Sequence, residues 1–285
     1  MSQLIVQEAG PGQISALCRA VDLPRSTFYR HRHPDESLNR DMVLRDHIQR
    51  IALEWPSYGY RRITAQLQRE GVLVNHKCVL RLMRLDNLLC LRKRHFIHTT
   101  DSNHDWPVYP NLVPELNVTG INQLWLSDLT YIRLLHEFIY LAIIRDAYSR
   151  RCIGWELGRQ LDASLTLTAL HQALSHRSVG PALVHHSDRG VQYASQAYTQ
   201  VLKDHGIQIS MSRRGNPYDN AFAESFSKTL KSEEVYLNDY ETLSEAKASI
   251  YHFLDAVYNQ KRLHSALGYL PPVEFEQALS SVTLP

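Results

Sequence analysis

The pattern of apolar and polar positions changes character near residue 120. Before that point the spacing is helical. Ile14, Leu17 and Cys18 share one face of a helix predicted over Gln13–Ala20, a turn falls at Val21-Asp22-Leu23-Pro24, and Arg25–Arg32 forms a short second helix with a basic outer surface. His33-Pro34-Asp35-Glu36-Ser37 breaks the pattern, and Leu38–Trp55 resumes it. Tyr60–Glu70 then turns Tyr60, Ile63 and Leu67 inward and Arg61, Arg62 and Arg69 outward. After the turn Gly71–Asn75, a helix from His76 to about Asn87 buries Val79, Leu82 and Met83 and presents Lys77, Arg81 and Arg84. Each pair fits a helix-turn-helix; the alternative is an ordinary helical hairpin. The stretch from Arg92 to about Asn122 has no clear period, carries Pro107, Pro110 and Pro114, and reads as a linker tracking DNA or a partner subunit.

From Gln123 the period is that of strands. Leu124–Arg133, Phe138–Arg145 and Cys152–Leu157 are closely spaced apolar runs, as an antiparallel meander gives. A helix over Ala163–Ser178, a strand over Leu183–His186, a helix over Ser195–His205, a short strand over Ile207–Met211 and helices over Asn220–Tyr236 and Leu243–Tyr258 follow. This alternation predicts an α/β architecture. The expected domains are a helix-turn-helix segment 1–35, a second helical DNA-binding domain 38–90, a linker 91–118 and an α/β domain 119–280.

Composition narrows the class. With 285 residues, 44% apolar and 21% charged, the chain is ordinary for a globular protein of more than one domain. No apolar run reaches spanning length and the first residues lack a secretory pattern, so no membrane partner and a cytoplasmic location are expected. Cys18, Cys78, Cys90 and Cys152 are far apart, which argues against a disulfide framework or zinc knuckle. His31/His33 and His185/His186 lack matching cysteines and read as polar or DNA-facing. Residues 1–100 hold 16 Lys+Arg against 9 Asp+Glu, and the remainder 15 against 20. A basic third joined to an acidic remainder suggests one part that grips phosphates and another that holds cations.

Three carboxylates carry the candidate chemistry. Asp128 interrupts an apolar strand, where a lone charge is costly unless paired, solvated or metal-bound. Asp188 follows the run Leu183–His186 and precedes Arg189-Gly190, so it projects from a strand end. Glu224, with 35 residues between it and Asp188, lies on a helix with Phe222, Phe226 and Leu230 on one side and Glu224, Lys228 and Lys231 on the other. Taken alone, that helix also fits a surface ion pair. Asp146 is a competing acid, explained without metal by turn capping or by Arg150. If Asp128, Asp188 and Glu224 converge, they suit two Mg²⁺ ions about 4 Å apart, set to activate an oxygen against a phosphodiester. Lys228 and Lys231 would pin a DNA phosphate nearby.

Several words of this sequence resemble the second-frame (OrfB) transposases of the IS-three group of insertion sequences, within the retroviral integrase superfamily. They are Trp125-Leu-Ser-Asp128-Leu-Thr-Tyr131, His186-Ser-Asp188-Arg-Gly190-Val-Gln-Tyr193, Gly215-Asn-Pro-Tyr-Asp-Asn220-Ala-Phe-Ala-Glu224-Ser-Phe, Lys231, and Tyr258-Asn259-Gln-Lys-Arg262-Leu-His264-Ser-Ala-Leu-Gly268-Tyr269. Tyr58-Gly59-Tyr60-Arg61-Arg62-Ile63 through Arg81-Leu-Met83-Arg84 matches the family's helix-turn-helix region. Leu263 departs from it, standing where proline is expected before His264. The resemblance covers roughly residues 10–280 and implies a ribonuclease H-like fold, a mixed five-stranded sheet with flanking helices. It implies a Mg²⁺-dependent transposase of the DDE type, with Mn²⁺ as substitute, that nicks a 3′ end of the element and transfers the strand. Implied partners are the element's terminal inverted repeats, target DNA, further copies of the chain and an upstream-frame partner or fusion, at a bacterial nucleoid. Expected DNA contacts are Arg25, Ser26, Thr27, Tyr29, Arg61, Arg62, Lys77, Arg81, Arg84, Asn220, Lys228 and Lys231. The competing functions are a DNA-binding regulator without catalysis and a ribonuclease H-like nuclease acting on hybrids or junctions.

Overall fold

The computed structural model describes residues 14–20, 22, 24, 25, 28, 34–89, 107–213 and 221–282, apart from the side chains of 34–40, 221–224 and 282. It forms two compact units, Met1–Leu91 and Arg92–Pro285.

In the first unit, α1 (Ile14–Ala20) seats Cys18 against Phe28, flanked by Ile14 and Leu17. Next come α2 (Pro34–Glu54), α3 (Tyr60–Arg69) and α4 (His76–Leu85). α2 begins at Pro34, inside the stretch expected to break the pattern. Proline is tolerated at the first helical position because the missing N–H would have no intrahelical partner there. Ile48, Ile51, Ile63, Leu67, Val79, Leu82 and Met83 are buried, as their spacing predicts. Between α3 and α4, Gly71 takes φ +83°, a conformation that L side chains rarely adopt. The Asn75 side chain then accepts the Lys77 N–H at 2.8 Å and caps α4. The helix expected over Arg25–Arg32 falls largely outside the described residues.

The second unit is built on a sheet in the order β3-β2-β1-β4-β5. Its strands are β1 (Leu124–Arg133), β2 (Phe138–Asp146), β3 (Cys152–Gly158), β4 (Val184–Ser187) and β5 (Gln208–Met211). β1, β2 and β3 are the expected antiparallel meander, while β4 and β5 extend the sheet from β1 in parallel. Alternation along β1 splits the core. Trp125 packs with Leu170, Tyr193 and Tyr198 under α5 (Ala163–His176), α6 (Val191–Ala194) and α7 (Gln196–Asp204). Ile132 packs on the other face with Phe226 and Leu230 of α8 (Ala221–Glu233). Ile250 of α9 (Leu243–His252) and Tyr258 of the π-helical segment Phe253–Asn259 complete that layer. A mixed five-stranded sheet covered on both faces by helices is the ribonuclease H-like arrangement. In α10 (Pro272–Val282), Glu276 takes Arg151 at 2.7 Å and Arg177 at 2.6 Å, tying the last helix to both sides of the chain turn after β2 and α5.

Details of the sequence reading change here. The described half of the stretch read as a linker, from Pro107, lies along the sheet. The Pro110 carbonyl accepts Met211 N–H, Leu112 N–H donates to Ser210 Oγ at 2.9 Å, and Leu112, Val113, Leu116 and Val118 pack on Leu124, Leu126 and Val184. It shows no period because it is extended apart from one 3₁₀ turn, Val113–Glu115. The outward peptide groups of edge strand β3 are met by side chains. Asn259 Oδ1 accepts Cys152 N–H and its Nδ2 donates to Cys152 O, both at 2.9 Å; Gln172 Oε1 accepts Trp155 N–H at 2.7 Å; Glu156 Oε1 accepts Leu157 N–H at 3.1 Å. Among the described residues no helix is long and apolar enough to cross a membrane.

Candidate active site

The parallel pairing of β1 with β4 sets Leu126 beside His186. The pairing stops there: Asp128 lies two residues further along β1 and Asp188 two residues beyond His186, one past the end of β4, and both carboxylates bear on the buried Tyr193 hydroxyl. The two strands then part: β4 ends at Ser187, whereas β1 runs on to Arg133. Beyond the carboxyl ends of parallel strands, where neighbours diverge, an α/β sheet opens a crevice for ligands.

Each aspartate is held. Asp188 Oδ1 accepts the Gly190 N–H at 2.9 Å, forming a turn that leads into α6. A Cβ on Gly190 would come 3.0 Å from that same oxygen and 3.0 Å from Gln192 Oε1, so a larger residue would press on the carboxylate although φ is an ordinary −65°. Asp128 is half-buried, and its Oδ2 accepts the Ser227 hydroxyl at 2.9 Å. Ser227 lies on α8 one turn after Glu224, so residues 224 and 227 share a stripe of the helix. The Glu224 side chain and Asn220 lie outside the described residues. Sequence reasoning missed Ser227, although its spacing from Glu224 marks it as a neighbour on the same helical stripe.

On the same helix Phe226 and Leu230 are buried, as expected, and Lys228 is exposed. Lys231 is half-buried, with its ammonium 4.2 Å from the centroid of the Tyr131 ring. Burial lowers its pKa, and Asp128 opposes that shift. Beneath the strands, the buried Tyr193 hydroxyl has no well-aligned hydrogen-bond partner. Burial first, then Tyr198, Asp188 and Asp128, push its pKa well up and keep it a neutral donor; the Ser127 hydroxyl acts on it weakly in the opposite sense.

Two expectations are corrected. His185 and His186 are not DNA-facing: both are buried, because β4 is covered on each face. His185 Nε2 meets Tyr198 Oη at 2.9 Å, and His186 meets Ser210 Oγ at 2.8 Å and Ser212 Oγ at 3.0 Å. Asp146 is the last residue of β2, one past the expected strand end at Arg145. Its Oδ1 accepts the N–H groups of Tyr148 and Ser149, and its Oδ2 accepts Asn122 N–H at 2.6 Å. Of its two metal-free explanations, turn capping is the one realised.

In the first unit Lys77, Arg81 and Arg84 line one face of α4. Arg81 is held there by Asp41 at 2.9 Å. Arg61 is exposed, its guanidinium over Tyr60, and Arg62 lies over the buried ring of Tyr58. Arg25 is exposed, and Ser26, Thr27 and Tyr29 lie outside the described residues.

Residues 119–217 and 205–272 match two models each described as an integrase core domain, and residues 39–96 match an HTH-like domain. The transposase for insertion sequence element IS904 of Lactococcus lactis is 36% identical over 249 residues, covering 87% of this chain and 98% of that protein. Transposase InsF for insertion sequence IS3A of Escherichia coli is 33% identical over 269 residues, covering 92% and 93%. The solved structure of the HTLV-2 integrase catalytic core domain in complex with magnesium is 18% identical, with a TM-score of 0.44, covering 54% of this chain and 95% of that one. With its sheet order and relatives matched over nearly their whole length, the chain belongs to the IS3-family transposases that carry an integrase core domain.

Proposed function

We propose that this chain nicks DNA at a 3′ end of an insertion element and transfers the strand, using Asp128, Asp188 and Glu224 as its acidic triad. The observation that carries the reading is that Asp128 and Asp188 lie two residues beyond the last β1–β4 pair and both bear on Tyr193, with Asp128 hydrogen-bonded to Ser227 one turn from Glu224. The donors fit a hard divalent cation. They are carboxylate oxygens, and the imidazoles nearest in sequence are engaged in the core. Mg²⁺ is commonly held by one or two carboxylates while retaining waters and phosphate oxygens. Among the described residues no group of three His, Cys, Asp or Glu side chains forms a metal cluster, so the third donor rests on Glu224.

Asp128, Asp188 and Glu224 would hold Mg²⁺, or Mn²⁺ in its place, as a pair of ions. When bound, such cations acidify the attacking oxygen and screen the charge on the phosphate. Ser227 fixes the orientation of Asp128 by donating to Oδ2. Gly190 N–H does the same for Asp188. Lys231, desolvated against Tyr131, offers its ammonium to a phosphate oxygen beside the carboxylates. Lys228 and Asn220 would touch the same DNA, while Arg25, Ser26, Thr27, Tyr29, Arg61, Arg62, Lys77, Arg81 and Arg84 would grip terminal repeats further away. The domains would work as two DNA-holding segments, 1–35 and 38–90, and a catalytic one, 119–280. The working form is then an assembly of copies on element and target DNA, made with or fused to an upstream-frame product, in the bacterial cytoplasm at the nucleoid.

The test is nicking of element-end DNA by the purified chain with Mg²⁺ or Mn²⁺. Asp188→Asn should abolish nicking while end binding persists. Equal nicking by the variant would sink the assignment, and end binding without cleavage under either metal would favour a regulator.

A further inference from the structure

The family word Tyr258–His264 contains neither of the candidate aspartates, yet most of its side chains are buried. Its contacts run to α8 and β3. Arg262 grips Glu233 through two bonds, Nε to Oε2 at 2.6 Å and Nη2 to Oε1 at 2.7 Å, with the two side chains only 4% and 8% exposed. Tyr258 packs edge-on against Phe226 of α8 at 5.0 Å, and the Arg145 guanidinium lies 4.7 Å from the Phe226 ring centre. Asn259 makes its paired bonds to the Cys152 backbone. The π-helical turns allow this division of labour: the consecutive residues Tyr258 and Asn259 are both buried and reach different neighbours. The N–H groups of Lys261 and Arg262 both close on the Val257 carbonyl, which brings Arg262 straight back towards α8.

Much of the hold of α8 on the sheet is through buried apolar side chains such as Phe226 and Leu230, and apolar contact is non-directional. A helix held that way can slide or roll. One residue of slip is about 1.5 Å of translation and 100° of rotation, far beyond what a metal site tolerates, which is on the order of 0.5 Å. Two contacts with direction stand out: Ser227 on Asp128 at the middle of α8, and Glu233 on Arg262 at its last residue. The second point is anchored in turn to β3 by Asn259.

We propose that Arg262, Glu233 and Asn259 form a positioning brace that fixes the register of α8 on the sheet and thereby sets Glu224 opposite Asp128. The inference rests on the transposase reading for its functional half; the mechanical half stands on the contacts alone. Arg262 and Glu233 are positioning residues, because the brace acts through the helix and not on the DNA.

The test compares the full-length chain with Glu233→Gln, Arg262→Lys and the exchanged pair Glu233→Arg/Arg262→Glu. Two readouts are taken: amide hydrogen exchange of residues 225–232 against α5 as internal reference, and the metal concentration giving half-maximal nicking, alongside end-DNA affinity. The single variants should speed exchange in α8 but not in α5. They should raise the half-maximal metal concentration and slow nicking by roughly 10- to 100-fold, the penalty of a displacement on the order of 1 Å, with DNA affinity unchanged. The exchanged pair should recover part of both effects. Unaltered exchange in α8, or acceleration throughout the unit, would overturn the brace. So would faster α8 exchange with an unmoved metal curve, which would leave the contact structural. If the unmodified chain never nicks, the transposase reading fails, and the exchange comparison still decides the mechanical claim.

Discussion

Gly190→Ala separates activity from stability in the candidate site. The backbone accepts alanine, since φ is −65° and ψ 144°. Replacing glycine where the conformation is already allowed restricts the unfolded chain and stabilises by about 0.4–1 kcal/mol. The added methyl would nevertheless lie 3.0 Å from Asp188 Oδ1, whereas ordinary contact begins at 3.4 Å. The carboxylate must therefore retreat by a few tenths of an ångström, against the hydrogen bond that holds the same oxygen. A misplacement of 1 Å costs on the order of 100-fold in rate, so a shift of this size should slow nicking by roughly 5- to 10-fold. Urea unfolding and single-turnover nicking of end DNA under Mg²⁺ give the two numbers. Gly180→Ala, which meets nothing within 4 Å, is the control. Unchanged nicking would refute the claim that the glycine protects the carboxylate's position. A loss of stability larger than the loss of rate would show that the site responds through folding.

The other predictions concern the site's support. Ser227→Ala removes a hydrogen bond to a half-buried carboxylate, a contact worth about 1.5 kcal/mol, and should slow nicking about tenfold with unchanged end binding in a gel-shift assay; an equal rate would remove Ser227 from the site. Gly154→Ala would drive a methyl to 2.1 Å from the Ala169 carbonyl of α5, so urea unfolding should show a loss of about 3 kcal/mol. A loss below about 0.5 kcal/mol would mean that α5 yields freely. Burial, reinforced by His186, pushes the His185 pKa down to about 3, so between pH 6.5 and 3 the unfolded chain binds a proton that the folded chain refuses. Stability should therefore fall by about 1.4 kcal/mol per pH unit as pH drops below 6.5. His185→Phe should be shallower by that slope in urea titrations at several pH values. Parallel curves would refute it.

The sheet was legible because its strands announce themselves by apolar runs, and Asp128 and Asp188 could be singled out because each sits in a specific word. β1, for instance, was predicted as it stands, Leu124–Arg133. What escaped depends on packing between segments far apart in sequence. His185 and His186 look like surface residues until β4 is seen covered on both faces by elements that a sequence does not place. The segment 107–118 hides for the opposite reason: it has no regular backbone and packs by single side chains on Leu124, Leu126 and Val184. The π-helical stretch has apolar spacing close to that of an α-helix, and only the simultaneous burial of Tyr258 and Asn259 betrays it. Ser227 was visible as a position and not as a partner, since the pairing with Asp128 spans 99 residues.

The side chains that meet β3 also bear on how copies of this chain can gather. An outer strand with bare amides is a template on which another strand can grow, the usual route to runaway polymers. Here Asn259, Gln172 and Glu156 stand in for that missing neighbour at Cys152, Trp155 and Leu157. An added strand is thereby kept from growing along this border, and contact between copies is left to surfaces that carry side-chain identity.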